Sequence, residues 1–178
     1  MSLTGTQRKR LEQRFDLYDI NEDGRIDRTD LEREAQRIVR AFGEHESSPR
    51  AQALLHAYPQ MFDYLVARAD LAAGSSMTKE QFVGVAEREM LRHGAAGFGK
   101  VLRPSIRAMV DLCDIDGDGQ VNPAEFRRWL EAISGDIDAA RAFEAIDANG
   151  DGQLSVDELV TAVGLYHEGK QDAPLLGV

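Results

Sequence analysis

An all-α fold is the structure this sequence predicts: four helix–loop–helix units, arranged as two paired lobes packed into one compact domain. Three observations predict it. A twelve-residue pattern of acids around one glycine recurs along the 178-residue chain, and a repeat of this kind marks a supersecondary unit used several times. The copies are flanked by apolar residues three and four apart, the stripe of an amphipathic helix. No apolar run approaches the roughly 18 residues of a membrane span, and 43% hydrophobic with 29% charged residues is the balance of a globular, water-soluble chain.

The units follow in order. Phe15 closes the first incoming helix, the loop D-I-N-E-D-G-R-I-D-R-T-D runs from Asp19 to Asp30, and Leu31, Ala35 and Ile38 stripe the outgoing helix. Within Ser48–Tyr58, Leu54, Leu55 and Tyr58 suggest a helical entry, interrupted at Pro59 because a proline ring opposes a helix interior. Aligning Gln81-Phe82 with the later Glu125-Phe126 places a second, degraded loop over Asp70–Gln81, with Val66 before it and Phe82 and Val85 after it. The glycine-rich run His93–Gly99 reads as a bend between the lobes. The third loop, D-I-D-G-D-G-Q-V-N-P-A-E, spans Asp114–Glu125 between Val110 and the stripe Phe126, Trp129, Leu130 and Ile133. The fourth, D-A-N-G-D-G-Q-L-S-V-D-E, runs from Asp147 to Glu158, between Phe143 and the stripe Leu159, Val163 and Tyr166. A lone unit leaves an apolar face uncovered. Residues 1–95 and 96–178 are therefore expected to form one pair each, the loops touching through Ile26 with Met77 and Val121 with Leu154.

This spacing is that of an EF-hand calcium loop. Ca²⁺ takes six to eight oxygens at roughly 2.3–2.6 Å, so acids and amides at alternating positions wrap it from one side. The expected metal residues are Asp19, Asn21, Asp23, Arg25, Asp27 and Asp30 in loop I. In loop III they are Asp114, Asp116, Asp118, Gln120, Asn122 and Glu125, and in loop IV Asp147, Asn149, Asp151, Gln153, Ser155 and Glu158. Position 7 (Arg25, Gln120, Gln153) acts through its backbone carbonyl, and position 9 (Asp27, Asn122, Ser155) directly or through a water. Gly24, Gly119 and Gly152 permit the sharp turn at position 6. Glu125 and Glu158 can each give two oxygens, whereas Asp30 is one methylene shorter and leaves a shell closer to what Mg²⁺ demands. Three Ca²⁺ are thus expected, with Mg²⁺ competing chiefly at the first site. In loop II only Asp70 survives among the acids: Ala72, Gly74, Ser75 and Gln81 fill positions 3, 5, 6 and 12, so an empty structural hand is expected. The S-x-x-E and N-P-A-E endings would also serve as plain helix caps, but three copies in one register favour a metal.

The charge supports this. The net −10 arises from 31 acids against 21 bases, and excludes electrostatic binding to nucleic acid or anionic membranes. Residues 1–99 carry 16 acids and 14 bases, residues 100–178 carry 15 and 7. The proposed ligands include eleven carboxylates; without them 20 acids face 21 bases, so the acidity of the chain is that of its loops. No apolar stretch follows the basic start to make an export signal, and the single Cys113 fits a reducing compartment, so a cytoplasmic location is expected. No G-x-S-x-G, phosphate-cradling loop or H-E-x-x-H occurs, which argues against an enzyme. His45, His56, His93 and His167 lack ligand spacing and read as surface residues, while Cys113 reads as a small packed side chain.

With four hands, an empty second one, a long first pair and a short glycine-containing link, the chain resembles the EF-hand proteins of the sarcoplasmic calcium-binding protein and calerythrin type over almost its whole length. The resemblance implies a compact all-helical protein that holds calcium in its first, third and fourth hands as a buffer. The 17 Arg against 4 Lys suggest a GC-rich bacterial source. Five methionines are few for a groove that repacks around targets. A monomeric intracellular buffer is therefore expected; the alternative is a sensor that exposes an apolar surface to a protein target. The tail Ala173–Val178 is expected either to plug such a groove or to fray.

Overall fold

The ends of the helices are set by residues that satisfy free backbone groups. Thr4 begins α1 (Gly5–Tyr18), its hydroxyl accepting the Gln7 N–H while the Gln7 side chain accepts the Thr4 N–H. Asp27 does the same for α2 (Arg28–Ala41) with Asp30, and Thr78 for α4 (Lys79–Glu89) with Gln81. Ser48 caps α3 (Pro49–Arg68), whose proline in the first turn has no N–H to leave unpaired. A 3₁₀ turn (Leu91–His93) leads into α5 (Gly94–Cys113), followed by α6 (Pro123–Ile133) and α7 (Ala139–Ile146). Ser155 caps α8 (Val156–Glu168), which closes on Gly169 at φ 81°. This computed structural model describes residues 2–133 and 138–173. Its helices form the four expected helix–loop–helix units of an all-α fold. Strands β1 (Arg25–Ile26) and β2 (Met77–Thr78) pair antiparallel with Ile26 opposite Met77, and Val121 bridges to Leu154, the two loop contacts expected from sequence.

Three expectations need correction. Helix α3 runs unbroken through Pro59, and α5 contains Pro104. A proline forfeits one ladder bond and crowds the preceding turn, but Leu54, Tyr58, Phe62 and Leu65 are buried on both sides of Pro59, and burying that continuous stripe outweighs the local loss. The run His93–Gly99 is not a bend along its length. The turn is confined to its start, made by the 3₁₀ segment that ends on His93 and by Gly94 at φ 55°, and the remaining residues are helical. Gly97 serves close approach instead: a Cβ there would lie 2.6 Å from the carbonyl oxygens of Glu89 and Met90. His167 is not a surface residue, being 2% exposed, with Nδ1 donating to the Val163 carbonyl at 2.9 Å. Its ring lies 5.6 Å from that of Phe98, and burial together with the positive charges of Arg14 and Arg10 holds its pKa down at about 3.

One apolar core runs through both pairs, because α3 packs on α5, α5 on α8, α1 on α8 and α2 on α6. Phe15 meets Phe82 in the first pair and Phe126 meets Phe143 in the second. Cys113 is fully buried, and burial with the nearby charges of Glu125 and Asp114 pushes its thiol up to about 12. Arginines tie the pairs at the rim: Arg37 donates to Ala132 O at 3.0 Å, Arg128 to Phe42 O, Arg50 to Asp114 O at 3.0 Å, and Arg10 to Tyr166 O and Gln171 O. Ala173 packs against the core, while the rest of the predicted plug, residues 174–178, lies outside the described residues.

Candidate metal centre

Loops I, III and IV share one architecture, in which backbone N–H groups orient the acids. In loop III, Asp114 accepts the N–H of Gly117 at 2.7 Å and of Gly119 at 2.8 Å through its two oxygens. Asp116 accepts the Asp118 N–H at 3.1 Å and Asp118 that of Gln120 at 2.8 Å. Oxygens of these three carboxylates lie within 4.8 Å of one another. Loop IV repeats the scheme with Asp147 on Gly150 and Gly152, Asn149 on Asp151, and Asp151 on Gln153, at 2.9–3.1 Å. Loop I repeats it with Asp19 on Asp23 and Gly24, Asn21 on Asp23, and Asp23 on Arg25, at 2.9–3.2 Å.

The backbone shares the pattern too. Positions 4 and 6 take positive φ in all three loops: Glu22 at 56° and Gly24 at 81°, Gly117 at 78° and Gly119 at 77°, Gly150 at 68° and Gly152 at 79°. Sequence reading found position 6 and missed position 4, where Gly117 and Gly150 in the later loops were an available signal and Glu22 concealed it. Loop II is built differently, with positive φ at Asp70 and Gly74, positions 1 and 5. No side chain there offers a carboxylate at positions 3, 5 or 12.

Position 12 separates the loops further. Glu125 spans loop III: Oε2 accepts the Asn122 N–H at 2.9 Å, and Oε1 reaches back to the Ile115 N–H at 2.8 Å. Glu158 does likewise, accepting from Ser155 N at 2.9 Å and Asn149 N at 3.4 Å. Asp30 accepts from Asp27 N at 3.0 Å, and among the described residues it makes no bond to positions 2 or 3. The missing methylene is visible as missing reach. The helix-cap half of this geometry also occurs in loop II, where Gln81 Oε1 accepts the Thr78 N–H at 2.9 Å. Capping alone therefore does not separate loops III and IV from loop II; the reach back to positions 2 and 3 does.

The electrostatics are those of acids crowded together. Burial would raise Asp114, but N–H groups of Gly119 and Gly117 win and hold it below the usual carboxylate range. The Asp118 N–H pulls Asp116 down, yet desolvation and the charges of Asp118 and Glu125 together raise it. Asp30 is raised by burial first and then by Asp27, Asp23 and Asp19. An all-oxygen, carboxylate-rich donor set with no His or Cys inside the loops fits a hard divalent cation, Ca²⁺ or Mg²⁺, and not a softer metal.

Comparison with known proteins agrees. Residues 103–164 match the family model described as an EF-hand domain pair, and residues 11–33 match one described as an EF hand. Calerythrin of Saccharopolyspora erythraea is 42% identical, over 94% of this chain and 96% of its own length. The luciferin-binding protein of Renilla reniformis is 28% identical over 94% and 89%. Among solved structures, a calcium-binding protein of Streptomyces coelicolor, reported as a structural basis for prokaryotic calcium-mediated regulation, superposes with a TM-score of 0.74 at 32% identity, covering 91% of this chain and 98% of that one.

Proposed function

The chain belongs to the calerythrin family of EF-hand calcium-binding proteins, not enzymes, and from that premise we propose that it is a cytoplasmic calcium buffer holding three Ca²⁺, in loops I, III and IV. The observation that carries this reading is the common loop architecture: acids at positions 1 and 5 anchored by backbone N–H groups, with positive φ at positions 4 and 6, in those three loops and not in loop II. The ligands are the six residues of each loop named from sequence. Loop II serves as a structural partner without an ion. Equilibrium dialysis is expected to find three Ca²⁺ per chain; a fourth of comparable affinity would overturn the assignment of loop II.

Site one is expected to accept Mg²⁺ more readily than the other two, because Asp30 lacks the reach of Glu125 and Glu158. Replacing Asp30 by Glu should raise Ca²⁺ affinity there and reduce Mg²⁺ competition. Unchanged values for both would remove the short-reach explanation.

A buffer rather than a sensor is supported by the closed interior, where one core joins both pairs and arginines clasp them at the rim. A cavity of about 20 Å³ at that junction, lined by Leu11, Arg14, Tyr18, Phe82 and His167 among others, has room for about one water. It does not fit a small organic ligand of the kind named for the Renilla relative. The sensor reading keeps one observation in its favour, the regulatory role reported for the Streptomyces protein. A hydrophobic dye decides between them: little gain of fluorescence with Ca²⁺ is expected, and a large gain would favour the sensor.

A further inference from the structure

Of the two loop pairs, the one with the degraded loop is the more heavily tied. Loops III and IV meet through the Val121–Leu154 bridge, at 2.9 and 2.8 Å, and among the described residues no side-chain hydrogen bond crosses between them. At their position 7, Gln153 Oε1 is buried without a partner. Loops I and II meet over two residues on each strand, and a side chain crosses as well. Arg25 Nε donates to Ser76 Oγ at 2.6 Å and Nη2 to Ser76 O at 3.3 Å. Both residues stand at position 7 of their loops, and in loop I this is the residue whose backbone carbonyl is the expected ligand.

An ion fixes the loop around it, and a ribbon between two loaded loops joins two fixed bodies. Loop II has no such anchor, so its freedom would pass through the ribbon into Ile26 and Arg25. A guanidinium is a rigid planar fork, and here it grips Ser76 by side chain and backbone together. We propose that Arg25 is a positioning residue for site one: its clasp on Ser76 turns loop II into a strut and does for this pair what the second ion does for loops III and IV. The inference rests on the reading that loop I binds Ca²⁺.

Its sign is opposite to that of simple electrostatics. A cation beside a calcium site repels the ion, so on charge alone Arg25→Gln would tighten site one. Loss of the clasp weakens it. Ser76→Ala removes the shorter bond of the clasp, the one to Oγ, and leaves both the charge and the backbone acceptor in place.

The test is a calcium titration of the full chain followed by amide NMR at Gly24, Gly119 and Gly152, each of which donates to the first acid of its own loop. With Ser76→Ala, the midpoint at Gly24 is expected to rise about threefold to tenfold, the range for losing one exposed, charge-assisted hydrogen bond. Midpoints at Gly119 and Gly152 should stay put and act as internal controls. Arg25→Gln should weaken the same site, and the double variant should be no worse than Arg25→Gln. In the calcium-free chain, Ser76→Ala should also speed amide exchange at Ile26 and Met77. A wild-type Gly24 that ignores calcium would refute the functional reading of loop I. A Gly24 that responds in wild type with the same midpoint in Ser76→Ala, or a tighter site in Arg25→Gln, would refute the clasp.

Discussion

Acidification to pH 5 should cost this protein about 2 kcal/mol of stability through one side chain, His167. The imidazole is 2% exposed, packed between Phe98 and Tyr166, and faces the guanidinium of Arg14. Burial first and positive charge second hold its pKa at about 3, against 6.5 in an unfolded chain. Because the folded value is depressed, the unfolded chain binds the proton first, so the contribution is intact above pH 6.5 and is lost as pH falls towards 3. Each unit in that window costs about 1.4 kcal/mol, which over the stretch from 6.5 to 5 gives the figure of about 2. Urea unfolding at pH 7, 6 and 5 in saturating Ca²⁺ measures it, with the loop acids held by their ions. His167→Asn supplies the control, since its amide can replace Nδ1 as the donor to the Val163 carbonyl and cannot titrate. Its lower stability at pH 7 is irrelevant to the slope. The variant should lose about 2 kcal/mol less than wild type between pH 7 and 5; equal losses would show that His167 does not control the acid limb.

Two further outcomes follow from the loops. Removing Ca²⁺ with a chelator should lower the melting temperature by more than about 10 °C, since each site at a hundredfold excess over its Kd contributes about 2.7 kcal/mol and each kcal/mol shifts a domain of this size by about 2–4 °C; coincident scanning-calorimetry midpoints would contradict it. Glu22→Gly should stabilise the calcium-loaded chain by up to about 1 kcal/mol, because Glu22 sits at φ 56° where loops III and IV place glycine. A melting temperature unchanged or lowered would mean that Glu22 bears no strain.

What could be read from the sequence divides along a physical line. A hard cation dictates donor chemistry and spacing, which made the loop pattern legible, and in loop III the acids at positions 1, 3 and 5, Asp114, Asp116 and Asp118, do gather their oxygens within 4.8 Å. The paired residues Ile26–Met77 and Val121–Leu154 were legible because position 8 is apolar in all four loops. Misreadings arose where a residue type has two uses. Proline breaks an isolated helix but not one whose flanks are buried, as at Pro59. Glycine gives freedom or close approach, and only the neighbouring carbonyls of Glu89 and Met90 show that Gly97 gives the latter. His167 could have been found: it stands four after Val163 and seven after Val160, on the stripe assigned to the core of α8. The Arg25–Ser76 clasp could not, because its partners are 51 residues apart and neither breaks a local rule.

The helix-cap ambiguity shows why combination decides where single signals fail. Asp27, Thr78 and Ser155 each form a reciprocal cap with the residue three on, and Asn122 does the same with Glu125. The degraded loop is thus capped as well as the others, and capping geometry alone does not separate the four hands. Cap and ligand share atoms, since the same carboxylate that satisfies the N–H of position 9 also reaches across the loop. A glutamine can do the first and adds no charge to the second. An aspartate can do the first and falls short in the second. Only a glutamate does both, so position 12 grades the four hands in the order loops III and IV, then I, then II, and that order is also the one in which calcium selectivity is expected to fall.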